Sequence, residues 1–225
     1  MPIPAAEPTP GIFTPTVQPQ ATVKFIEEIW PAIFAREITL SELSYHPGCV
    51  RFDEIVFLAS IAKHLQPKKL FEIGTCAGRT TINLAQNLDQ IDAFFTLNLP
   101  PDSSCQNDWI EQDKKLVEYS KNMIGKRWHV PPYDTRITQL YGDSFQFDFS
   151  PFKEMDLVFI DANKRKEYVL SDSQNAWNML RPGGMLLWHD YAYCDGVTEA
   201  VDEFAKTKNI SVTNIYKTTL AVTVK

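Results

Sequence analysis

The sequence predicts an α/β protein whose mostly parallel sheet is covered by helices on both faces. Two observations carry the prediction: apolar runs of strand length alternate with helical patterns along most of the chain, and polar residues gather where those runs end. Parallel strands need long, right-handed crossovers, normally helices, so the alternation and the covered sheet imply each other. A third observation sets the far edge. The last two strand-like runs are separated only by "KTT", too little for a crossover, so they form a hairpin in which one strand opposes the rest.

Taken in order, "TVKFIEEIWPAIF" and "DEIVFLASIAKHL" read as two amphipathic helices parted by the turn signal "YHPG". Strand "KLFEIG" leads to helix "RTTINLAQNL", strand "AFFTLNL" to helix "DWIEQDKKLVEYSKNMI", and strand "ITQLYG" to a loop carrying "DSFQFDFSPF". Strand "MDLVFID" is followed by helix "KEYVLSDSQNAWNML", which the breaker "RPGG" ends, then by strand "MLLWHD" and helix "GVTEAVDEFAKTK". "ISVTNIY" and "LAVTVK" complete the sheet, and no internal repeat is present.

Composition narrows what such a fold does here. A chain of 225 residues holds one generous domain, and 44% hydrophobic with 12% aromatic content excludes a disordered chain. Apolar stretches such as "EIVFLASIA" are too short to span a bilayer, so no membrane partner is expected. "MPIPAAEPTPGIFTPTVQPQ" lacks a basic cluster followed by an apolar core, and reads as an irregular arm rather than a signal peptide. The cysteines at 49, 76, 105 and 194 show no CxxC pair, which suits free thiols in a reducing cytoplasm. A net charge of −6 argues against a nucleic-acid backbone as partner.

Ligands of open α/β sheets bind outside the carboxyl ends of the strands. Glu72, Gly74 and Gly78 lie at the first such end, Asn98 at the second, and Asp143 with Ser144 at the third. Asp161, Asn163 and Lys164 follow the fourth strand, and His189 with Asp190 the fifth. Each alone reads equally well as a helix cap or a turn residue; together they outline a site. The first loop spaces its glycines E-x-G-x-x-x-G and so lacks the G-x-G-x-x-G that brings a pyrophosphate to a helix N-terminus. A dinucleotide is disfavoured, and a ligand with an uncharged or zwitterionic middle fits better.

With these residues in place the chain resembles the class I S-adenosylmethionine-dependent methyltransferases, "EIGTCAGRTT" being similar to their first motif. The resemblance runs from about residue 52 to the end. It implies a Rossmann-like sheet of seven strands with a reversed last strand and a methyltransferase domain over 52–225; the proline-rich start reads as an arm and helix over residues 1–51, and the overlong crossover at 100–136 as a lid-like insertion. S-adenosylmethionine would be held by Glu72, Gly74, Thr75, Gly78, Asn98, Asp143, Ser144 and Asp161, with Asp143 and Ser144 at the adenine. Asn98 stands where many such enzymes carry an acid for the ribose hydroxyls; an amide can still donate and accept there.

"FIDANKRKEYV" resembles the "FIDADK" segment of the catechol and caffeoyl-CoA O-methyltransferases, where the Asp binds a divalent cation and the Lys can act as base. Carried over, Asp161 and Lys164 take those roles, and the acceptor is a hydroxyl of a small molecule. The second metal motif departs, with His189 and Asp190 in place of an acid and Asn. Two mechanisms follow. In one, Asp161, His189 and Asp190 hold magnesium or manganese; in the other, His189 is a metal-free general base. A non-catalytic binding protein on the same fold is a third reading. In the insertion, Trp109, Trp128, His129 and Pro131-Pro132 suit a planar or sugar acceptor or simply pack on the sheet. The N-terminal helices either close the opposite side or form a homodimer contact.

Overall fold

The computed structural model describes residues 15–44, 49–103 and 111–225, except for the side chains of residues 112, 113 and 116. Eight strands form one sheet: β1 (Thr22–Lys24), β2 (Lys69–Ile73), β3 (Ala93–Asn98), β4 (Ile137–Tyr141), β5 (Met155–Ile160), β6 (Leu180–Trp188), β7 (Thr213–Ile215) and β8 (Ala221–Val224). Their spatial order is β1-β7-β8-β6-β5-β2-β3-β4. Only β8 runs against the others, pairing antiparallel with both β6 and β7, as the short "KTT" connection requires. The strand order reverses between β2 and β5, whose carboxyl ends carry Gly74 and Asp161. The crevice at such a reversal is where an open α/β sheet takes its ligand.

The helices are α1 (Ile26–Ile29), α2 (Phe52–Leu65), α3 (Arg79–Ala85), α4 (Glu111–Ser120), α5 (Lys166–Met179) and α6 (Asp195–Lys208). Two apolar layers flank the sheet. One joins Ile55, Leu58 and Ile61 of α2 and Ile82 and Leu84 of α3 to Leu70, Phe94, Leu157 and Leu187. The other joins Val169, Ala176 and Met179 of α5 and Val197, Val201 and Phe204 of α6 to Phe71, Val158 and Leu186. Alternate residues of β2 and β5 thus face opposite layers, as the pleat demands.

The N-terminal segment differs from the expected amphipathic helix. Thr22–Lys24 is extended and adds an eighth strand parallel to β7, and helix α1 ends after four residues. Pro31 explains the early stop: it biases Trp30 out of the helical region, and Trp30 is found extended at φ −134°, ψ 92°. Ile26, Trp30 and Ile33 are nonetheless buried against α2, so the apolar spacing was packing information rather than helix information. The turn "YHPG", Trp109 and Cys105 lie outside the described residues. Trp128 is buried in the α2–α3 layer, packed on Gly78 and Gly125, and so serves packing rather than an acceptor wall. Among the described residues no helix is long and apolar enough to cross a membrane.

Candidate functional site

A cleft opens over the carboxyl ends of β2, β3, β4 and β5. Its wall includes Gly74, Thr75, Asn98, Asp143, Ser144 and Asp161, six of the eight residues expected to hold the cofactor, together with Lys164. Gly78 and Glu72 do not line it.

The glycine turn is shaped by the chain itself. Gly74 sits at φ +111°, and a Cβ there would lie 2.0 Å from the Asp161 carbonyl oxygen, so β2 and β5 can diverge this closely only around a glycine. Gly78 sits at φ +82° with Trp128 Cδ1 2.5 Å from where its Cβ would be, so it forms a floor for Trp128. Glu72 also departs from expectation. It is fully buried, its Oε2 accepting hydrogen bonds from Thr81 (2.5 Å) and Thr96 (2.6 Å) hydroxyls, and burial pushes its carboxyl up to about 8 despite them. The acid of the motif braces β2, β3 and α3 beneath the turn. Asn98 lines the cleft, and its Oδ1 accepts from the Cys76 amide at 2.9 Å, fixing the turn from the side.

At the adenine end expected from the sequence, Asp143 Oδ1 accepts from the Phe145 amide, an Asx-type turn after β4. Ser144 donates to Asp172 Oδ2 at 3.2 Å. Asp172 lies fully buried in α5, and burial pushes its carboxyl up to about 7.

Beneath the cleft, at the ends of β5 and β6, lies a buried charge cluster. Lys164 Nζ is 3.0 Å from Asp161 Oδ1, 3.0 Å from Asp190 Oδ2 and 2.9 Å from the Ala162 carbonyl. His189 Nδ1 is 3.0 Å from Asp161 Oδ1 and 3.3 Å from Asp190 Oδ2, while its Nε2 is 3.1 Å from Glu54 Oε2. Burial disfavours the imidazolium, but Asp190, Asp161 and Glu54 outweigh it and hold His189 protonated well above its ordinary range. Burial likewise opposes the Glu54 carboxylate, yet the His189 charge and hydrogen bond bring it down to about 2. Asp190, flanked by His189 and Lys164, is also held low against its burial. His189 therefore has both ring nitrogens engaged and lies outside the wall of the main cleft, unlike Asp161 and Lys164.

Sequence reasoning missed Glu54. It is fully buried in α2, where Oε2 also accepts from the Arg51 amide and Oε1 from the Thr219 amide and hydroxyl. A carboxylate at the third helical position reads as half of a capping box, and that reading hides its second partner. Arg79, Arg127 and Tyr168 also line the cleft. Their signal was weak, since they arrive from two helix starts and the insertion.

Asp161, His189 and Asp190 offer ligand atoms within 4.8 Å of one another, a donor set that suits a divalent cation once the His189 ring gives up the proton on Nδ1. Glu54 on the far ring nitrogen of His189 is the kind of partner that orients a ligating imidazole. Such an ion would have to take the place between the carboxylates that the Lys164 ammonium fills.

A parallel sheet with one reversed strand, a glycine turn at the strand-order reversal and a polar cleft over it define the class: an α/β protein with the class I S-adenosylmethionine-dependent methyltransferase fold. Residues 71–191, more than half of the chain, match the family model described as a methyltransferase domain, and the chain belongs to that family. No curated protein sequence matches it. Among solved structures it is similar to the methyltransferase PaMTH1 of Podospora anserina bound to SAH, at 16% identity, covering 91% of this chain and 99% of that one with a TM-score of 0.61. It is also similar to TomG of Streptomyces achromogenes, an O-methyltransferase of tomaymycin synthesis in complex with SAM, at 16% identity, 90% and 100% coverage and a TM-score of 0.56. An O-methyltransferase of Bacillus cereus in complex with SAH follows at 18% identity, 88% and 90% coverage and a TM-score of 0.53.

Proposed function

We propose that the protein transfers the methyl group of S-adenosylmethionine to a hydroxyl of a small molecule. The observation that carries this reading is the junction of two features at one sheet edge: the cofactor-type cleft and, on its floor, the Asp161–Lys164 pair. TomG and the Bacillus cereus protein are both O-methyltransferases, which favours oxygen as the acceptor atom. In the reaction the acceptor oxygen attacks the methyl carbon in line, the carbon–sulfur bond breaks with its electron pair going to sulfur, and the hydroxyl proton must leave.

Lys164 supplies fixed positive charge at that oxygen. Its ammonium is held by three acceptors at the cleft floor, so it needs little reorganisation to stabilise a developing oxyanion. Asp161, on the cleft wall beside it, receives the proton. Glu54 and His189 act from behind, fixing the Asp161 carboxylate through Nδ1. Lys164 directs its amine toward three acceptors and is therefore read as a fixed donor rather than a base, and a base role for His189 needs a free ring nitrogen. When bound at Asp161, His189 and Asp190, a divalent ion would polarise the hydroxyl as a Lewis acid.

The test is incubation with S-adenosylmethionine and a panel of phenols, catechols and sugars, with release of S-adenosylhomocysteine and the methylated product measured by mass spectrometry. Methyl ether formation that survives excess chelator supports the lysine-centred reading. Turnover lost to chelator and restored by manganese or magnesium moves the role to the ion. Methylation only at nitrogen or sulfur acceptors would sink the oxygen assignment.

A further inference from the structure

We propose that Cys49 and Cys76 form a reversible disulfide site in the wall of the cofactor cleft, oxidised by a low-molecular-weight disulfide such as glutathione disulfide. Both residues line the cleft and both are partly exposed, whereas Cys194 is buried. The fold brings them together from distant places. Cys76 is in the turn between β2 and α3, and Cys49 lies just before α2 in a segment tied to α3 by a 2.8 Å hydrogen bond from Arg79 Nη1 to the Val50 carbonyl.

Their side chains interact directly, and the setting favours a thiolate. The Cys76 thiol draws Cys49 down to about 7; burial and Asp161 oppose this, and Arg79 and Arg127 assist. A thiolate populated near neutral pH beside a second thiol is the arrangement of an attacking and a resolving cysteine. The Cys49 thiolate attacks one sulfur of glutathione disulfide, forming a mixed disulfide and releasing one glutathione thiolate. Cys76 is held protonated by the neighbouring Cys49 thiolate and by burial; capping Cys49 removes the first of these, after which Cys76 loses its proton to solvent and displaces the second glutathione. Two protein thiols are oxidised and one glutathione disulfide is reduced to two glutathiones.

The consequence for the cleft, which rests on the cofactor reading above, follows from what Cys76 holds. Its amide fixes Asn98 Oδ1 and its carbonyl accepts from the Gly125 amide at 3.1 Å, at a left-handed φ of +48°. Joining its sulfur to Cys49 ties the segment before α2 to this turn and puts a bridge across the cofactor wall. Oxidation should lower cofactor affinity, and reduction should restore it.

The experiment uses the full chain. Reduced protein is equilibrated with glutathione and glutathione disulfide at graded ratios, acid-quenched, digested without reductant and mapped by mass spectrometry, while parallel samples are titrated with S-adenosylhomocysteine by calorimetry. The expected result is a Cys49–Cys76 linked peptide, missing in Cys49→Ser and in Cys76→Ser and reversed by dithiothreitol, with affinity lowered about tenfold or more. Mixed glutathione disulfides without the linked peptide would overturn the proposal, as would a linked peptide with unchanged affinity. If the reduced protein does not bind S-adenosylhomocysteine at all, the cofactor reading fails, and the peptide map alone decides whether the thiol pair exists.

Discussion

The two halves of the cleft are held in place by different physics. On the β2–α3 side, backbone geometry does it: Gly74 lets β2 pass the Asp161 carbonyl, Gly78 seats Trp128, and the acid of the motif is a buried brace. On the β5–β6 side, charge does it: Glu54, Asp161 and Asp190 face His189 and Lys164 away from water. A shape-built wall tolerates no added atom, whereas a charge-built floor tolerates changes of size and fails when one partner is neutralised.

That contrast is open to attack at four points. The largest effect belongs to Gly74→Val. Its branched side chain would meet the Asp161 carbonyl at 2.0 Å from a positive φ, so the variant should lose more than about 4 kcal/mol and lose cofactor binding through misfolding. Urea denaturation and circular dichroism check this, and a stable variant would show that the turn is shaped by the ligand instead. Next comes Glu54→Gln, which keeps the shape and removes the charge behind His189; it should cost about 3 kcal/mol, read from the same denaturation curves.

Lys164→Met should lower kcat by about 10²-fold while leaving S-adenosylhomocysteine affinity unchanged, with Lys164→Arg recovering part of the loss because it restores charge. Equal losses in both variants would mean that charge is not what the site requires. The smallest effect near neutrality is at Glu72. Its folded pKa of about 8 exceeds the ordinary 4.5, so between those values the folded state binds a proton that the unfolded state has lost, and stability falls as pH rises through that window. Glu72→Gln should flatten the decline, as seen in thermal melting temperatures at pH 5, 6, 7 and 8. An unchanged slope would transfer the effect to Asp172, raised to about 7.

The sheet was legible in the sequence because each of its central strands is an apolar run closed by polar residues, and a parallel sheet leaves that mark on linear order. Strand β1 was not, because three exposed residues beside a helical pattern carry no period of their own; only pairing with β7 makes them a strand. At the site, Asp161 and Lys164 were legible from "DANK", which a single turn after β5 folds into one ion pair. The engagement of His189 was not, since the residue that caps its second nitrogen lies far upstream in α2, and linear distance hides such a partner.

Strand β1 has a consequence for how the chain is made. Thr22 pairs in register with Thr213, so β1 has no partner until β7, far downstream of it, has been synthesised. Ala21 then docks its amide on the Tyr191 hydroxyl at 2.9 Å, which itself donates to Asp202 at 2.7 Å. Until β1 docks, β7 is paired on one side only, with β8, and its other edge is open. The arm therefore acts late, as the closing stitch of the sheet, and a bulky fusion just ahead of it would be felt during assembly, at the step where the edge is sealed.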